Sequence, residues 1–296
     1  MSTEQKIRKD VRDGMRQTCT LTGMILKSAP AGEYDKRITI LTRERGKVTA
    51  FARGARRAKS SLQAATDLFC FGKFEAYEGR DAYTVVRAEI RNYFRELHTD
   101  LEKVSYGCYF LEVADHFTRP DNNASDQLKL LYQTVRALSV KSLDPRLVRR
   151  IYELKTLVFY GVGPQVFSCV SCGKREDLCV FSQRRHGMLC GACCGKEAER
   201  AKTDCGRTAE WAKTNDGRTA ERAKTAGSWA AGRRKENGRK LGAASLYTLQ
   251  YIVSSPVEKL YTFMVTDEVL AEVSAVVEQY MAPYVDREFY SLSLLE

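Results

Sequence analysis

Apolar residues follow two different rhythms along this 296-residue chain. Between residues 17 and 90 they fall in short runs bounded by polar turns, the pattern of strands. Thr18–Leu26 is β-rich, with Gly23 placed to bend it. Ile38–Thr42 and Lys47–Phe51 flank Arg43-Glu-Arg-Gly46, a turn signal that closes a hairpin. Phe69–Tyr77 alternates large and small residues, and the turn to Tyr83 leads into a last strand at Thr84–Ala88. Phe69, Phe71 and Phe74 read as core. Five strands at this spacing suit a small closed barrel of the OB type.

From Asp100 the apolar period becomes helical. Leu101, Val104, Cys108, Leu111, Ala114 and Phe117 recur at steps of three and four, and Pro120 follows. Ser125 precedes a second such stretch, through Leu128, Leu131, Val135 and Leu138. Pro145 opens a third, through Val148, Ile151, Leu154 and Val158, which stops at Gly161-Val-Gly-Pro164. Ser245–Ser254 and Thr266–Met281 are helical again, the latter with Thr266 as N-cap and acids in its first turn. The expected fold is α+β and multidomain: an extension at 1–16, a barrel at 17–95, and a mainly helical domain at 96–296.

Residues 196–240 do not fit this plan. Ala-Glu-Arg-Ala-Lys-Thr begins at 198, returns at 220, and occurs at 209 with Trp211 in place of Arg. The eleven-residue period offers mainly Ala for burial, and Gly206 and Gly217 interrupt it. Too little is buried to offset the ordering entropy, so the expectation is a disordered basic insertion.

Charge sharpens the picture. The net charge is +11, of which residues 27–59 carry +7 and residues 196–240 carry +6, leaving the remainder slightly acidic. Basic charge concentrated in this way points to an anionic polymer. Lys27, Arg37, Arg43, Arg53, Arg56, Arg57 and Lys59 are the candidate phosphate contacts. Tyr34 and Phe51 are candidate stacking platforms or, equally, core residues. No run of about 18 apolar residues occurs, so no membrane span is expected. The first sixteen residues hold no apolar signal region, and the ten cysteines then imply a reducing, cytoplasmic setting.

The strongest chemical signal is a pair of CxxC motifs, Cys169-Val-Ser-Cys172 and Cys190-Gly-Ala-Cys193, with seventeen residues between them. Two such turns supply the four soft ligands of a tetrahedral zinc. Gly173 and Gly191 suit the tight turns of the knuckle, which spans 167–194. Cys194 is the runner-up for the fourth ligand. A shell of four thiolates has no open position for water, so this zinc would stabilise structure rather than react. Cys19, Cys70 and Cys108 read as small core residues, and Cys179 and Cys205 as free thiols.

Other chemistry is missing. There is no GxxxxGK phosphate loop, and Gly161-Val-Gly163 lacks the third glycine of a dinucleotide fingerprint. His98, His116 and His186 form no HxE or HExxH motif. A binding protein is favoured over an enzyme. A zinc-dependent nucleic-acid enzyme such as a nuclease, with carboxylates scattered in sequence, is the alternative, and a zinc-ribbon scaffold or transcription factor is a third reading.

Several stretches resemble a known family. Leu21-Thr-Gly-Met-Ile-Leu-Lys27, Gly32-Glu-Tyr-Asp-Lys-Arg37, Leu41-Thr-Arg-Glu-Arg-Gly-Lys47 and Ala52-Arg-Gly-Ala-Arg-Arg57 resemble the N-terminal OB domain of the bacterial RecO recombination mediators. Tyr106-Gly-Cys-Tyr-Phe-Leu-Glu112 and Gly163-Pro-Gln-Val-Phe-Ser-Cys169-Val-Ser-Cys172 resemble that family's helical core and zinc knuckle. Tyr284-Val-Asp-Arg-Glu-Phe289 is similar to its closing helix. The likeness runs from about 17 to 292, and 196–240 departs from it; Met15 fits a natural start. It implies a non-enzymatic role in DNA repair. Such proteins bind single- and double-stranded DNA, anneal complementary strands, engage single-stranded DNA-binding protein, and partner RecR to load the recombinase. It also implies a structural zinc on Cys169, Cys172, Cys190 and Cys193.

Overall fold

A computed structural model describes residues 18–195 and 238–294. These form two units, 18–161 with 255–264 and 284–294, and 162–195 with 238–254 and 265–283. The expectations for 1–16, Met15, Cys205 and the repeats up to 237 lie outside the described residues.

In the first unit the alternating segments become β1 (Thr18–Ala31), β2 (Asp35–Thr42), β3 (Gly46–Ala52), β4 (Phe71–Tyr77) and β5 (Tyr83–Asn92), with a short helix α1 (Leu62–Ala65) before β4. They close into a barrel in the order β1-β2-β3-β5-β4. Neighbours are antiparallel except β3 and β5, which run parallel with Phe51 opposite Thr84. Period-two side chains fill the barrel: Leu21, Ile25, Ile38, Ile40, Val48, Ala50, Phe74 and Val85 are buried together. Burying Phe74 fully contributes roughly 1.5–3 kcal/mol.

Gly23 does not bend β1. It lies within the strand opposite Gly72, and a Cβ on it would sit 2.3 Å from the Leu41 carbonyl oxygen. Its small size lets the strands approach; the irregularity lies between Ile25 and Lys27. The three phenylalanines also separate. Phe74 is barrel core, while Phe71 packs 4.6 Å from the Tyr132 ring. Phe69 precedes the strand in a left-handed conformation (φ 69°) and is fully buried beside Gly107.

Three helices complete this unit: α2 (Leu101–Phe117), α3 (Ser125–Ala137) and α4 (Pro145–Phe159). Asp100 caps α2 by accepting from the Lys103 N–H, and Asp144 caps α4, with Pro145 at its first position. Leu101 is exposed, contrary to the periodic reading, because the first turn of α2 faces solvent. The buried side of α2 is instead widened by Tyr106, Tyr109, Phe110 and Val113. On α4 the buried Glu153 carboxylate is held by Arg149 (2.8 Å) and Arg150 (2.9 Å). The barrel is tied to the segment after α2 by the Lys47 N–H, which donates to the Arg119 carbonyl at 3.1 Å.

The second unit is built on a three-stranded sheet in the order β7-β6-β8, from β6 (Leu178–Ser182), β7 (Gly187–Cys190) and β8 (Arg239–Lys240). Helices α5 (Ala243–Ser254) and α6 (Asp267–Met281) follow, with Thr266 capping α6. Phe181 of β6 meets Tyr280 of α6 edge to face at 5.6 Å. Residues 239 and 240, expected within the insertion, pair with Phe181 and Val180 as β8. Two residues form too short a run for any periodicity to announce them. Among the described residues, no helix is long and apolar enough to cross a membrane.

Candidate nucleic-acid interface and metal centre

The strand register decides which barrel side chains share a face. Side chains alternate, so the neighbours of the buried Ile38 and Ile40 point outward. One outer rung holds Ala29, Arg37, Phe51 and Thr84, and the next holds Lys27, Thr39 and Thr49. Arg37 is exposed, and Phe51 beside it is 37% exposed.

At the Arg37 end, the β1–β2 turn and the loop after β3 are knitted together. The Arg56 N–H donates to the Tyr34 carbonyl at 2.9 Å, and its guanidinium donates to the carbonyls of Gly32 and Glu33, both at 3.1 Å. The Gly54 N–H donates to Asp35 Oδ1 at 2.7 Å. The Arg57 guanidinium lies 4.9 Å from the centre of the Tyr34 ring, and Tyr34 is 44% exposed. Neither Tyr34 nor Phe51 is therefore a core residue. Arg53 and Lys59 are exposed on the same loop, Lys59 with φ 69°. This end sets Arg57 over the Tyr34 ring and Arg37 beside Phe51, with Arg53, Arg56 and Lys59 exposed on the adjoining loop.

The other two candidate cations stand elsewhere. Arg43 lies in the turn at the far end of β2, where it pairs with Glu44 at 3.0 Å. Lys27 pairs with Asp115 of α2 at 2.8 Å, and Lys47 meets the same carboxylate at 3.1 Å. Arg287 reaches it from the C-terminal segment at 3.3 Å. Burial would raise the Asp115 pKa, but the hydrogen bonds from Lys27 and Lys47 hold it below the usual value. Sequence reading missed Asp115. No local signal marks it, because 68 positions separate it from Lys47.

In the second unit the two CxxC pairs converge. The thiol sulfurs of Cys169, Cys172, Cys190 and Cys193 all lie within 4.8 Å of one another. Cys172 and Cys190 are 3.7 Å apart. Tetrahedral zinc with bonds of about 2.3 Å places its sulfurs about 3.8 Å apart, so the spacing and the soft donor set both fit. Cys193 completes this group; Cys194 and His186 stand outside it.

The first pair lies on a turn in which the Gly173 N–H donates to the Cys169 carbonyl at 2.8 Å, with Gly173 at φ 76°. The second pair leaves the end of β7. Gly191 is not needed for a left-handed turn. A Cβ there would sit 2.7 Å from Asp177 Oδ2, the atom that accepts the Gly191 N–H at 3.1 Å. Burial pushes the Cys169 thiol up, but hydrogen bonds at the backbone of Cys190, Ser171 and Cys172 outweigh this and bring it down to about 6. Cys193 is pushed up to about 12 by its contacts with the Cys172 and Cys190 thiols. Four soft sulfur donors this close together form a site able to exchange protons for a cation. Cys70 is buried and Cys19, Cys108 and Cys179 are half-buried.

The chain thus combines a β-barrel that has a basic, aromatic-bearing end, a helical bundle, and a four-thiol group able to hold a metal ion. Comparison with known proteins gives this architecture a family. The model for the N-terminal part of recombination protein O matches residues 15–94, and that for its C-terminal part matches 98–207 and 203–293. The chain belongs to the recombination protein O family, as its motifs suggested. It is similar to the DNA repair protein RecO of Acetivibrio thermocellus, with 28% identity over 276 residues, 93% of this chain and 95% of the relative. It is 34% identical to that of Halalkalibacterium halodurans over 180 residues, 61% of this chain and 70% of the relative. It is 33% identical to that of Alkaliphilus metalliredigens over 174 residues, 58% and 71% of the two chains.

Proposed function

We propose that the chain is a non-enzymatic mediator of DNA repair and recombination. It binds single- and double-stranded DNA, anneals complementary strands, and helps load the recombinase together with RecR and single-stranded DNA-binding protein. One observation carries this reading: Tyr34 and Phe51 present partly exposed rings among Arg37, Arg53, Arg56 and Arg57 at one end of a closed barrel. We take this barrel, residues 17–95, to be of OB type, the architecture that tracks a phosphate backbone while bases stack on aromatic rings. The family membership and the names of the relatives support a role in DNA repair and recombination.

Annealing needs two polyanions screened from each other with little base readout. Guanidinium groups supply that screening, and stacking on Tyr34 and Phe51 tolerates any sequence. Arg56 also holds the turn that carries Tyr34, so it both positions the platform and adds charge. The four cysteines would hold a structural zinc, whose closed shell cross-links two turns. Strand annealing with complementary oligonucleotides, one coated with single-stranded DNA-binding protein, tests the reading. Accelerated pairing without cleavage in Mg²⁺ or Mn²⁺ is expected. Cleavage would establish the nuclease alternative instead.

A further inference from the structure

We propose that Asp115 is a built-in stand-in for phosphate, which occupies Lys27 and Lys47 and so ends the nucleic-acid track at the rung of Arg37 and Phe51. This rests on the reading of the barrel as a nucleic-acid surface. Lys27 lies one rung, two residues, from Arg37 on the same outer face, a step of about 6–7 Å along the strand. By position it would extend the basic track. Its side chain is 55% exposed, so solvent and a polyanion can reach it. Its ammonium nevertheless lies 2.8 Å from Asp115 Oδ2.

Asp115 is held firmly in that role. Its side chain is only 9% exposed, and Lys47 binds it twice, at the carboxylate (3.1 Å) and at the backbone carbonyl (2.6 Å). Arg287 spans Oδ2 and the Glu112 carbonyl, at 3.3 and 3.0 Å. A buried carboxylate fixed by two further cations does not need Lys27 to stay ionised. It withholds Lys27 from a second anion, as a bound phosphate would. Beyond this rung the outer face is closed: Met24 and Leu41, which pair in β1 and β2, are fully buried. The carboxylate thus stands where the accessible track ends.

The test is a salt titration of full-length protein binding to fluorescent oligothymidylate, read by anisotropy. Asp115→Asn should bind about fivefold tighter at 0.1 M salt and steepen the log–log slope by about 0.7, the effect of one added phosphate contact on single strands. Lys27→Ala alone should leave the slope unchanged. In a Lys27→Ala background Asp115→Asn should have no effect, whereas a diffuse electrostatic role for Asp115 would persist there and overturn the proposal. If Asp115→Asn does not fold, Lys27→Ala still decides, because a slope flattened by about 0.7 would mean that Lys27 already contacts phosphate. Failure of the wild-type chain to bind the oligonucleotide would instead remove the nucleic-acid reading itself, and this inference with it.

Discussion

The barrel and the cysteine-bearing sheet show two ways for a β-structure to hold together. The barrel has strands of seven to fourteen residues that alternate around an enclosed apolar core. The sheet has strands of five, four and two residues, and its knuckle turns are exposed around Cys172. A long alternating strand is specified by many weak contacts. A short one cannot bury enough, and here four thiols converge where the core runs out. The two should therefore fail differently: the barrel by cavity formation, the sheet by loss of ligands.

The largest effect should come from the thiols. Structural zinc binding contributes on the order of 10 kcal/mol in small fingers, so Cys190→Ser or chelation should unfold the knuckle while the barrel persists. Hydrogen exchange together with metal analysis would show protection lost in 167–194 alone; simultaneous loss in β1–β5 would break the contrast. The pH dependence has a definite sign. With the Cys169 thiol brought down to about 6 from 9.0, the stability given by its thiolate is complete above pH 9 and disappears as pH falls through about 6. Zinc retained on dialysis at pH 7.5 should be released on acidification, because protons compete with the metal for the thiolates.

Next comes Phe74→Ala, which removes a fully buried ring from the barrel and should cost about 3–5 kcal/mol in denaturant unfolding with metal content unchanged. For the basic end, Arg37→Ala/Arg53→Ala/Arg57→Ala leaves Arg56 to hold its turn. It should flatten the log–log salt slope of single-strand binding by about 2. An unaltered slope would remove this surface from the interface. The smallest effect should be Tyr34→Ala, at about 1–3 kcal/mol of binding with the slope nearly constant, since stacking displaces few counterions.

Much of this was legible in sequence. The five strands and the cap at Thr266 are written in local periodicity and local side-chain chemistry, and they appear where expected with ends moved by a few residues. The exceptions share a cause. Phe69 looked like a strand residue, but a left-handed backbone turns it against Gly107, a contact between segments far apart in sequence. Leu101 kept helical spacing yet faces solvent, because spacing does not say which turn of a helix is covered.

The seven candidate cations make the same point more sharply. Their abundance between residues 27 and 59 is a property of the sequence, but it treats Lys27, Arg43 and Arg57 alike. Folding gives them different partners: a carboxylate on a distant helix, a neighbouring glutamate, and the face of Tyr34. By itself the sequence determined the barrel strands, the long helices, the cysteine quartet and the sign of the surface, since each depends on residues close together in the chain. Only the tertiary structure decided which basic groups line one accessible face and which are matched internally. Ion pairing falls off over a few ångströms, and packing alone brings Asp115 within that distance of Lys27 and Lys47.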